Sequence, residues 1–156
     1  MAIVLQPPGA VRFDPDLGAV FLAGSIEMGA AERWQDAVAG ALGDLECVVL
    51  NPRRDAWDAS WPQRADFGPF REQVEWELEA QERADVLAFY FAPETRAPIT
   101  LLELGLAARG GKAVVCCPEG YWRKGNVDVV CARYRIPQVA SLDELVAAIR
   151  ARLAAR

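Results

Sequence analysis

The sequence predicts one α/β domain over residues 1–156, a three-layer sandwich in which a five-stranded parallel sheet carries helices on both faces. Three observations point there. Short apolar runs of strand length alternate with longer stretches at helical spacing, and glycine, proline or asparagine closes most of the runs. The run at residues 86–91 is apolar throughout, as a strand covered on both faces must be.

The first strand is expected at residues 19–23 (AVFLA), followed by a turn at Gly24-Ser25 and a helix over 30–42 with Trp34, Val38 and Leu42 at helical spacing. Residues 47–50 form the second strand. The stretch 51–69, rich in Pro, Asp and Trp, has no period and reads as a loop over a site. Strong helix formers fill 70–84 and lead directly into the third strand. A helix over 99–109 closes at Gly110-Gly111, and the fourth strand is 113–117. A short helix near 126–132, a fifth strand near 138–140 and a last helix capped by a Ser141/Glu144 capping box complete the order. Right-handed crossovers then give a flavodoxin-like arrangement.

Composition narrows the function. The 156 residues suffice for one sizeable core. The net charge of −5 and the scattering of the 17 basic residues outside Arg53-Arg54 give no nucleic-acid footprint. The longest apolar runs fall far short of the roughly 20 residues a membrane span needs. Pro7, Pro8 and Gly9 interrupt the start before any secretory signal develops, so a cytoplasmic protein is expected. The four cysteines show no CxxC pairing, and neither a metal site nor a cofactor is expected. Histidine is absent, which removes the commonest general base and favours chemistry built on two carboxylates.

In such sheets ligands lie beyond the carboxyl ends of the strands. Three loops therefore matter, at 24–29, 51–69 and 92–100. Glu103 lies about one turn into the helix after the third loop, among Leu101, Leu102 and Leu104. By position it is either a site carboxylate or a solvated glutamate favoured by the helix dipole. Gly24 and Ser25 suit close backbone approach to a sugar or phosphate, or a merely conformational turn. Trp57 and Trp61 are placed either to stack on a base or to cover the core, and Arg53 or Arg54 to meet a phosphate.

The segment PITLLELGLAA, with the FLAGS turn and the ERADV strand entry, resembles the nucleoside 2-deoxyribosyltransferase family over roughly residues 20–137. The resemblance implies that Glu103 attacks the anomeric carbon of a sugar, with Gly105 allowing close packing of its helix. It implies that Glu77, eight residues before Asp85, handles the proton of the leaving base in place of the family's usual Asp. Asp85 itself is either ligand-facing or a structural cap. Asn126, in KGNVDVV, matches the residue lent to a neighbouring subunit's site, so a homo-oligomer is implied; it is equally placed to cap its helix. The chain departs from the family's pattern at Val20, Phe21 and Leu22, where a tyrosine is usual, and at Ala97, where an acid or serine is usual. Thr95, Arg96 or Thr100 is placed to substitute for the contact made there in the family, and Phe21 and Trp57 are further candidates to contact substrate.

The expected function is cleavage or transfer of the N-glycosidic bond of a (2-deoxy)nucleoside or nucleotide through a covalent glycosyl-Glu103. The alternative is a nucleotide-binding or sensory module of the same fold without turnover. A receiver-like domain is disfavoured, because residues 91–93 (Phe-Ala-Pro) leave no phosphoacceptor Asp at the end of the third strand.

Overall fold

The computed structural model describes residues 1–27 and 31–156, so the turn expected at 24–29 is described only to Glu27. The strands are β1 (Ile3–Leu5), β2 (Gly18–Gly24), β3 (Cys47–Leu50), β4 (Val86–Tyr90), β5 (Ala113–Cys116) and β6 (Gln138–Val139). The helices are α1 (Trp34–Ala41), α2 (Gly68–Arg83), α3 (Pro98–Ala107), α4 (Lys124–Tyr134) and α5 (Leu142–Ala154). All strands pair in parallel, in the order β1-β3-β2-β4-β5-β6. The sheet has six strands, which corrects the expected five. The additional strand is β1, three residues on the sheet edge beside β3, with Ile3 and Val4 exposed. So short a run, stopped by Pro7-Pro8, carries too little period to be read from sequence.

Side-chain alternation divides the sheet into two cores. Ala19, Phe21 and Ala23 of β2 face one core with Trp76 and Ala80 of α2, Leu104 of α3 and Val127 of α4. Val20 and Leu22 face the other, with Trp34 and Val38 of α1 and Leu145 and Ile149 of α5. Every residue of β2 and β4 is buried, so these central strands form a stiff floor under whatever lies at their carboxyl ends. No helix is long and apolar enough to cross a membrane among the described residues.

The end of β2 is fixed by packing. A Cβ on Gly24 would stand 2.4 Å from Trp34 Cζ2 and 2.5 Å from the Tyr90 carbonyl, so only glycine fits where α1 crosses β2 and β4. The Trp34 indole donates to the Ser25 carbonyl at 3.1 Å and packs edge-on against Tyr90. The capping box at α5 forms as expected, with Glu144 N–H donating to Ser141 Oγ at 3.1 Å. Gly24→Ala is expected to cost about 2 kcal/mol or more by overpacking against backbone; a denaturant midpoint equal to wild type would show that this crossing has slack.

Candidate active site

Helix α3 turns one face to the sheet, and its buried residues Thr100, Glu103, Leu104 and Ala107 follow helical spacing. Glu103 is therefore on the inner face and only 8% exposed, which excludes the solvated-glutamate reading. Helix α2 does the same with Gln73, Trp76, Ala80 and Gln81. Along its flank, Gln73, Glu77 and Gln81 recur every four residues, one above another. Glu72, Glu75, Glu79 and Glu82 point to solvent, and Glu77 is half-buried. The structure thus brings together the two carboxylates expected to act, one from each helix.

Both are held by neutral amides. Gln81 Nε2 donates to Glu103 Oε2 at 2.6 Å, and Gln73 Nε2 donates to Glu77 Oε1 at 2.9 Å and to the Pro52 carbonyl at 2.8 Å. Burial pushes Glu77 up to about 7, with the Gln73 hydrogen bond opposing it. Burial pushes Glu103 up to about 8, helped by the charge of Glu77 and opposed by the Gln81 hydrogen bond. Desolvation outweighs the amides in both cases. Near neutral pH the pair therefore passes through a state with one proton and one charge, the condition for joining an acid to a nucleophile.

The loops around the pair are tied to one another. Ser25 Oγ accepts from Ala92 N–H at 3.0 Å and lies 2.6 Å from Thr95 Oγ1, locking the turn after β2 to the loop after β4. Glu27 Oε1 accepts from the amides of Arg96 and Ala97 at 2.9 and 2.8 Å, capping α3 from a distant loop. Glu27 and Ala97 both have positive φ, 47° and 43°, so the two loops meet in strained conformations. A carboxylate thus reaches position 97 in space although Ala97 occupies it in sequence. Two features of the sequence bear on it, the spacing to Glu103 and the loop after β2, but nothing in either names Glu27. Tyr121 Oη and the Trp122 indole both donate to the Arg96 carbonyl, at 2.6 and 2.9 Å, fixing the loop after β5 to the same rim.

Other expected residues lie elsewhere. Asp85 stands at the amino end of β4, the far edge of the sheet, where Oδ2 accepts from Ala19 N–H at 2.8 Å and lies 3.4 Å from Arg156 Nε. These contacts match the structural alternative of the two readings left open for it. Phe21 is fully buried on the sheet face that α2 and α3 cover, and Thr100 is buried one turn before Glu103. Asn126 lies inside the first turn of α4, since Arg123 holds the cap position, and it is exposed. With Pro98, Leu101, Leu104, Gly105 and Trp122 it lines a groove of about 440 Å³ between α3 and α4. A Cβ on Gly105 would meet nothing within 4 Å, so among the described residues no close packing against it is seen.

In the long loop before α2, Trp57, Trp61 and Phe67 stack successively at 5.1 and 6.1 Å, and the Arg54 guanidinium lies over Trp61. Arg53 is buried, with Nη1 donating to the Glu32 carbonyl at 2.7 Å and Nη2 to that of Ala31 at 2.6 Å. Its guanidinium anchors the loop to the segment before α1, which answers the phosphate expectation for Arg53. Gln73 and Gln81 are the site residues sequence reasoning missed; the available signal was a polar residue every four positions on a helix whose other inner residues are apolar.

A parallel α/β sheet thus carries on its adjoining helices a buried carboxylate, Glu103, and a half-buried one, Glu77, both with raised proton affinity. The chain belongs to the nucleoside 2-deoxyribosyltransferase-like family, whose model matches residues 18–121. A search of curated proteins finds no match.

The carboxylate pair has a stability signature. A carboxyl whose folded pKa is raised binds its proton more tightly when folded, so its contribution is fully present at low pH and is lost as pH rises from the unfolded value through about 7 to 8. Glu103→Gln removes one charge and keeps an acceptor for Gln81. It is expected to raise the melting temperature by several degrees at about pH 9 and by little at about pH 5. Equal melting temperatures at both pH values would contradict the burial of an ionising pair.

Proposed function

We propose that the protein cleaves or transfers the N-glycosidic bond of a (2-deoxy)nucleoside or nucleotide, with Glu103 as nucleophile and Glu77 as acid–base. The observation that supports this most is the link between α2 and α3 at the two carboxylates, where Gln81, one turn beyond Glu77, bonds the buried Glu103 in a chain of this family. A Glu103 oxygen forms a bond to C1′ as the C1′–N bond breaks. The electron pair of that bond passes to the base nitrogen, and the Glu77 proton neutralises the leaving base. Water or a second base then attacks C1′, giving its proton to Glu77 and releasing Glu103. Water makes the reaction a hydrolysis and a base makes it a transfer. Positive charge developing at C1′ favours the ionised form of Glu103 as the bond breaks.

A binding module without turnover is the second reading. One observation favours it: the chain lacks the tyrosine usual at Val20, Phe21 and Leu22 and the acid or serine usual at Ala97. Incubation with a panel of nucleosides and their 5′-monophosphates, with and without a second base, separates the two. Base release is expected, lost on Glu103→Ala and reduced roughly 10²- to 10⁴-fold on Glu77→Gln. Tight binding with no free base from any compound would establish the second reading.

The rate should follow a bell, rising as the first carboxyl ionises near pH 7 and falling as the last proton leaves near pH 8. A flat profile between about pH 6 and 9 would remove the carboxylate pair from the chemistry.

We also propose that a second copy of the chain covers α3 and α4. Ile99, Leu102 and Leu106 form an exposed stripe on α3 at 57, 60 and 64%, joined by Trp122, Val129 and Tyr134 from α4 and its approach. Gly105 leaves a dent in this face, at a mid-helix position where glycine costs about 1 kcal/mol and needs a reason. In that arrangement Asn126 approaches the partner's site. Sedimentation should give a dimer or larger assembly, and Leu102→Glu with Leu106→Glu should dissociate it and depress turnover; a wild-type monomer at micromolar concentration would dismiss the assembly.

A further inference from the structure

Among the described residues the Glu103 carboxylate receives one hydrogen bond, from Gln81 Nε2 to Oε2 at 2.6 Å. Gln81 is itself 8% exposed, on a helix face whose neighbouring inner residues include Trp76 and Ala80. A buried amide in such a layer costs free energy unless it is bonded, so an apolar side chain would be the better packing choice at this position. The amide is neutral and does not titrate, so it neither takes nor supplies the reacting proton. What it can do is hold one carboxylate oxygen and favour the charged form of the group. With Oε2 held, Oε1 is the oxygen left for bond formation.

We infer that Gln81 is a positioning residue for Glu103, fixing which carboxylate oxygen meets the anomeric carbon and supporting the ionised state of that carboxylate. The inference rests on the reading of Glu103 as nucleophile. Gln81 lies four residues beyond Glu77 on the same flank of α2, so one helix presents both the proton donor and the support for the nucleophile. The charged group acting on Glu103 from α2 is Glu77. The sheet beneath carries Phe21, Leu87 and Phe89 on this face, and α3 adds Leu104, so neither supplies a competing charge. Gln73 is the matching support for Glu77, and its second bond to the Pro52 carbonyl ties that support to the start of the long loop.

The test is a carboxyl ¹³C NMR titration of the full chain labelled at glutamate, with Glu103 and Glu77 assigned through Glu103→Gln and Glu77→Gln. In Gln81→Leu the Glu103 midpoint is expected to rise by about one pH unit. Gln73→Leu should move Glu77 more than Glu103. Gln81→Asn, one methylene short of the carboxylate, should repeat the shift of Gln81→Leu while keeping a polar side chain, and serves if the leucine variant does not fold. Kinetically, both Gln81 variants should lower kcat about tenfold with KM little changed and move the falling limb of the pH profile to higher pH. A Glu103 midpoint unchanged in a folded Gln81 variant would reduce Gln81 to packing and overturn the inference. No turnover in wild type, with the Glu103 midpoint still tied to Gln81, would sink the nucleophile reading yet uphold Gln81 as the residue that sets the orientation and charge of this carboxylate.

Discussion

Two carboxylates withdrawn from water on adjoining helices, Glu103 buried and Glu77 half-buried, are the constraint around which this chain is arranged. Taking a charged carboxylate out of water costs several kcal/mol even after relaxation. A hydrogen bond from a neutral amide to a charged group contributes about 1.5 to 3 kcal/mol, so one amide per carboxylate offsets part of the cost and leaves the rest as raised affinity for protons. Gln81 and Gln73 do this for Glu103 and Glu77. The elevated proton affinity is the residue of an incomplete compensation, and it places the titration of the pair where a proton can move both ways at neutral pH.

Such a pair is useful only if its two helices do not shift apart. The fully buried strands β2 and β4 provide the floor, and the loops at their carboxyl ends are cross-tied through Ser25, Ala92 and Thr95. Glu27 then caps α3 through the Arg96 and Ala97 amides, favourably placed at a helix N-terminus that has no cap of its own. The Trp34 indole under Ser25 makes the turn after β2 part of the opposite core. Both cores therefore bear on the geometry at Glu103, although only one of them touches it.

Much of this was legible in the sequence for stated physical reasons. A continuous apolar run announces β4, and an acidic residue in an otherwise apolar helix draws attention to Glu103. The sixth strand was not legible, because Ile3–Leu5 gains its identity from pairing with β3 and not from its own pattern. Asp85 was legible as an acid at a strand entry but not as to which edge of the sheet it serves; its bonds to Ala19 and Arg156 come from residues 66 and 71 positions away. Glu27 was invisible, since its partners lie some 70 residues along the chain. Among five glutamates on α2, helical spacing alone left Glu77 undistinguished; its partial burial and its bond to Gln73 appear only in the fold.

The most direct measurement is acid quench of the protein during turnover of a nucleoside or nucleotide, followed by intact-mass and peptide mass spectrometry. A transient glycosyl adduct confined to the peptide carrying Glu103, absent in Glu103→Gln, is the predicted result. Base release at the wild-type rate by Glu103→Gln, or an adduct on another peptide, would contradict it.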